Sequence, residues 1–136
     1  MEFIVLQKLG LAALLGMIVG WERHLKKNPA GMRTHALVTL GTCAFTVIGL
    51  HVLAASSSAI IPIIQAMIIG LGFLGAGLIF EGEERTRGLT TAAEVWTLAS
   101  VGILVGLGSY FLAIATTLLI LVILLPLKWV EQKISQ

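Results

Sequence analysis

Between residues 3 and 130 the sequence is a succession of apolar runs, with charge confined to the breaks between them. A run of about 20 apolar residues matches the hydrocarbon thickness of a bilayer when coiled as a helix. Backbone groups inside lipid must then bond within their own segment, so a helix is the natural solution for each run. Of the 136 residues 57% are hydrophobic and 12% charged, with a mean hydropathy of +1.00. A soluble chain of this size has no core large enough to hide that apolar surface. The lipid bilayer is therefore the expected solvent. The net charge of +2 is carried in the breaks and gives no reason to expect nucleic acid.

A membrane-length window places spans at residues 3–20, 35–53, 60–80, 89–106 and 110–130, a single all-α transmembrane domain over 1–136. The break between the last two falls at "GLGSY", Gly106 to Tyr110. Arg23, Lys26, Lys27, Arg33, Arg85, Arg87, Lys128 and Lys133 all fall on one side of a five-span arrangement. Those are eight of the nine basic residues, which predicts N-terminus out and C-terminus in. Lys8 alone is on the other side, where it is expected to snorkel outward. Positive charge follows the first apolar run rather than preceding it, the polarity of a retained span and not of a cleaved leader. The single cysteine, Cys43, excludes an intrachain disulfide and reads as a small buried residue.

Small residues recur at helical spacing. Ala12, Gly16 and Gly20 do so on the first span, Gly102 and Gly106 on the fourth, and Gly72, Gly75 and Gly77 crowd the third. Such ridges let helix backbones approach where lipid supplies no hydrophobic drive. They serve packing within the chain or a homodimer.

Polar residues within the spans are also patterned. His35, Thr39, Thr42 and Thr46 share one face of the second span, and Thr90, Glu94 and Thr97 have similar spacing on the fourth. Both spans start on the same side, so Thr39 and Glu94 are expected at similar depth, on facing stripes. Threonine hydroxyls can simply bond their own helix. Glu94 is different, because a carboxylate inside a span costs on the order of a few kcal/mol unless paired, hydrated or protonated. It reads either as a structural ion pair or as a functional group, with Arg33, His35, Arg85 and Arg87 as available partners. Glu22 and Arg23 belong to the same charged layer, with Thr34 a candidate cap for the second span and Thr91 beside the fourth span's start. Two helix N-termini with arginines there form a candidate anion receptor. No metal-ligand spacing, cofactor motif or nucleophile–base pairing appears, so no catalytic residue is assigned.

The blocks "GWERHLKKNPAGMRTHALVTLG", "GLGFLGAGLIF" and "RGLTTAAEVW" together resemble the MgtC/SapB family of bacterial membrane proteins, over residues 6 to about 130. Gly20, Glu22, Arg23, Gly31, Arg33, Thr34, Gly72, Gly75, Gly77, Arg87, Thr91 and Trp96 are among the matching positions. The resemblance implies a non-enzymatic, multi-pass inner-membrane protein without cofactor, linked to low-magnesium adaptation. It also implies regulation by binding other membrane proteins, such as the F-type ATP synthase. The alternative is a homo-oligomeric transporter or channel for Mg²⁺ or protons. The best-known members carry a soluble C-terminal domain resembling ACT domains, whereas this chain stops at Gln136. Thr90 and Glu94 depart from the virulence-type pattern, which points to a general branch of the family.

Overall fold

A computed structural model describes residues 2–26, 28–52, 60–81 and 86–126. They form five helices: α1 Glu2–Leu25, α2 Met32–Val52, α3 Ile60–Gly77, α4 Leu89–Gly106 and α5 Tyr110–Leu124. The first four are long and apolar enough to cross a membrane, and α5 is a shorter apolar helix over the residues described. Phe80–Glu81 (β1) and Thr86–Arg87 (β2) add a two-residue antiparallel ladder between α3 and α4. The fold is otherwise helical, as the apolar runs require. The rest of the expected fifth span, residues 53–59, residues 82–85 with Arg85, and Lys27, Lys128 and Lys133 lie outside the described residues.

Helix boundaries differ from hydropathy boundaries where charge is involved. α1 continues past Gly20 to Leu25, taking Glu22 and Arg23 into regular helix. α3 stops at Gly77, and Phe80 belongs to the ladder instead. Gly88 then precedes α4 with φ 89°, a left-handed conformation open to glycine. A Cβ there would also collide with the Leu78 carbonyl oxygen. The turn from ladder to helix therefore depends on this residue.

The second helix is the hub of the bundle: α1 and α4 both pack on its polar stripe and also touch each other. A Cβ added to Gly16 or Gly20 of α1 would overlap the α2 backbone around His35 and Met32. On α4, Gly102 faces Thr39 and Thr42, and Gly106 faces Cys43 and Thr46. Both glycine pairs, one turn apart on their own helices, let neighbouring backbones touch α2. The order of contacts shows α1 antiparallel to α2 and α4 parallel to it. The apolar core follows from this arrangement: Ala12, Leu15, Val19, Cys43, Val47, Leu98, Val101 and Val105 form one cluster, extended by Ala113, Ile120 and Leu124 of α5.

Glycines on α3 behave differently. Gly70, Gly72 and Gly77 have open space where a Cβ would stand, and Gly75 meets only the Ala92 methyl at an ordinary 3.8 Å. Of the two roles expected of this ridge, packing within the chain or a homodimer, Gly72 and Gly77 do not serve the first; α3 buries Met67, Leu71 and Gly75, and its Ile60 and Ile63 reach Gly49 of α2. Lys8 has a definite partner at the end of the bundle away from the charged layer. Its ammonium donates to the Gly106 carbonyl oxygen at 2.7 Å, closing the C-terminal end of α4.

Candidate functional site

Glu94 is the point at which α1, α2 and α4 meet. Its carboxyl is 2% exposed, with one oxygen, Oε1, 3.0 Å from His35 Nε2. The other, Oε2, is 2.5 Å from Arg23 Nε. Arg23 Nε also lies 3.3 Å from Glu22 Oε2, and Lys26 pairs with the remaining Glu22 oxygen one turn along α1. Neither Arg23 Nε nor Glu94 Oε2 has hydrogen-bond alignment, so their attraction is ionic rather than directional. The result is a buried cluster of two carboxylates, a guanidinium and an imidazole, with the partly exposed Lys26 ammonium at its edge. Desolvating such groups is expensive, and close opposite charge is what makes it tolerable.

Helix geometry explains who takes part. Glu94 is at the edge of the arc of α4 that is buried through Thr91, Val95, Leu98, Gly102 and Val105. Thr90 and Thr97 lie on the far side of Glu94, about 40° and 60° round the helix, and both are exposed. Thr97 donates to the Ala93 carbonyl of its own helix. The expected Thr90–Glu94–Thr97 stripe is therefore corrected to a face running through Thr91, Glu94 and Leu98. The expected level changes as well: Glu94 stands beside His35, one turn from Thr39.

The α2 stripe is buried along its length, with His35, Thr39, Thr42 and Thr46 all at 5% exposure or less. Its hydroxyls are occupied locally: Thr39 donates to the His35 and Ala36 carbonyls, Thr42 to Val38 and Thr39, and Thr46 to Thr42. Thr34 does not precede α2 but lies in its first turn, so it is not the cap expected of it. It borders an apolar groove of about 660 Å³ between α2 and α3.

Arg33 is exposed, as is Arg87 on β2, so neither reaches Glu94. Of the four available partners His35 meets Glu94, whereas its neighbour Arg33 is turned outward by its position on the helix wheel. Arg23 supplies the guanidinium instead, because α1 remains helical past the end of its apolar run. Lys26 was missed, although Glu22 and Lys26 have the i, i+4 spacing that pairs such residues on a helix. Among the described residues, no three His, Cys, Asp or Glu side chains gather to hold a metal ion.

Residues 9–133 match the MgtC family. The chain belongs to that family. Among its MgtC-family relatives, Protein SapB of Bacillus subtilis is 37% identical over 96% of this chain and 60% of its own length. Protein MgtC of Salmonella typhimurium is 39% identical over 92% of this chain and 53% of its own length. Protein SrpB of Synechococcus elongatus is 36% identical over 92% of this chain and 75% of its own length. The chain thus spans between half and three fifths of the SapB and MgtC proteins it matches. No solved structure matches it significantly. Apolar helices and family membership together make this a multi-pass membrane protein of the MgtC family.

Proposed function

We propose that this protein is a non-enzymatic regulator of the bacterial inner membrane that acts by binding other membrane proteins and serves low-magnesium adaptation. One observation carries the reading: the contrast between α3 and its neighbours. Gly16 and Gly20 of α1 and Gly102 and Gly106 of α4 are filled by contact with α2, whereas Gly70, Gly72 and Gly77 of α3 have open space beside them. Phe73 and Ile69 on the same helix are 82% and 76% exposed. Close-approach positions beside large exposed apolar side chains suit another transmembrane helix, from a second copy or a different membrane protein. The F-type ATP synthase is one partner this reading would accommodate. The orientation, N-terminus out, rests on the placement of basic residues.

Transport of Mg²⁺ or protons by a homo-oligomer is the second reading, and the buried Glu94 cluster favours it. Against it, the α2 threonines bond their own carbonyls and are pressed by glycines of α1 and α4. That seam is filled with protein. A photo-crosslinking residue at Phe73, used in cells before mild detergent extraction, tests the regulator reading. Recovery of a specific membrane protein supports it, and recovery of self-adducts alone removes its main support. Mg²⁺ or H⁺ flux by the purified protein in liposomes would establish the transport reading instead.

A further inference from the structure

Both nitrogens of the His35 ring are engaged, and the chemistry of the two acceptors fixes how many hydrogens they need. Nδ1 lies 2.8 Å from the Gly31 carbonyl oxygen. A carbonyl only accepts, so Nδ1 carries a hydrogen and donates it. Nε2 lies 3.0 Å from Glu94 Oε1. With Nδ1 already protonated, a neutral ring offers only a lone pair at Nε2, and an ionised carboxylate likewise offers only lone pairs. At this separation two lone pairs repel, so a further proton sits between them, as imidazolium facing carboxylate or imidazole facing carboxylic acid.

We infer that the His35–Glu94 pair is a proton-binding site inside the helical bundle, and that its proton holds α2 to α4. The surrounding charges decide whether the proton can leave. From α1, Glu22, Arg23 and Lys26 face the pair, while His24 on the same helix is exposed. On α2 the neighbouring Arg33 is exposed, and His51 is at the far end. Glu94 is the only charged residue of α4, and α3 and α5 contain no Asp, Glu, Lys, Arg or His. Two carboxylates are therefore balanced by Arg23 and Lys26 without the shared proton. Charge neutrality does not require it, whereas the interhelical hydrogen bond does. Releasing it leaves an electrically balanced cluster whose α2–α4 contact has become repulsive. The pair is thus a reversible proton switch, and it stands whatever partner the protein binds.

Protein labelled with ¹⁵N-histidine, in lipid nanodiscs and titrated from about pH 5 to 9, tests this directly. His35→Gln identifies the resonances. The parent spectrum should show His35 with its hydrogen on Nδ1 throughout, and a single protonation step. Glu94→Gln should move that step by at least one pH unit, a tenfold change in proton affinity, leaving His24 and His51 in place. Amide hydrogen exchange in the first turns of α2 and α4, corrected for its intrinsic pH dependence, should accelerate at least tenfold as the proton leaves. A neutral His35 with its hydrogen on Nε2 alone overturns the inference, and needs no variant to be seen. An unmoved step in Glu94→Gln, or exchange indifferent to the step in the parent, overturns it equally.

Discussion

Arg23 Nε and Glu94 Oε2 stand 2.5 Å apart, joining the charged end of α1 to the first turns of α4 past the flank of α2. Both groups are at least nine-tenths buried. Removing one partner strands the other in a medium that solvates it poorly, so Arg23→Ala is expected to destabilise by about 3–5 kcal/mol. Thermal or denaturant unfolding in a mild detergent measures it. Glu94→Gln in the Arg23→Ala background should cost far less than it does alone, since contacting charges couple by about 0.5–3 kcal/mol. Additive losses would mean that the two side chains do not depend on each other.

Arg33→Ala supplies the contrast. Arg33 is exposed, and substitutions at such positions change stability by about 0.5 kcal/mol or less. Its unfolding midpoint should coincide with the parent's. A loss comparable to that of Arg23→Ala would show that Arg33 reaches the cluster after all.

Gly102→Ala and Gly72→Ala make the same chemical change with opposite expectations. At Gly102 the new methyl would overlap the Thr42 hydroxyl and the Thr39 backbone, while at Gly72 it meets open space. Overpacking of this kind costs about 1–3 kcal/mol or more where the neighbour is backbone. Gly102→Ala should therefore lower the detergent melting temperature and Gly72→Ala should not. Equal effects would dispute the placement of α3.

Lys8→Met keeps most of the apolar stem and removes the donor to the Gly106 carbonyl. A hydrogen bond from a charged donor contributes about 1.5–3 kcal/mol, and the carbonyl would be left without this partner. The expected signature is loss of stability together with faster hydrogen exchange in the turn after α4. A lysine that does not bond Gly106 would show neither.

Gly88→Ala tests the junction before α4. With φ at 89° and the Leu78 carbonyl in the way, alanine must change the backbone. A cost of about 1–3 kcal/mol is expected from the conformation alone. Unfolding in detergent reads it, and a variant as stable as the parent would place the turn in another conformation.

The apolar runs were sufficient for the helical class and for the order of the spans, because lipid leaves the polar backbone of an apolar segment almost no other way to bond itself. The same holds for the buried face of α2: four polar residues at steps of four, three and four can hardly avoid one side of a helix. Cys43, small and among small neighbours, is buried as its setting suggested. What the sequence could not determine is which charge meets which. Hydropathy ended the first span at Gly20, yet a helix does not stop where apolarity stops, and the extra turns of α1 bring Arg23 to Glu94 while Arg33 turns outward. Only tertiary packing decided that α1 and α4 share the polar stripe of α2, that Glu94 is level with His35 rather than Thr39, and that Lys8 bonds the end of α4. Likewise the glycines of α1, α3 and α4 look alike as spacing, and only packing separates those pressed against α2 from those facing open space. Such pairings depend on the order of helices and their rotation about their axes. Both are set by the sum of many small contacts between segments distant in the chain, and so are not written in any one of them.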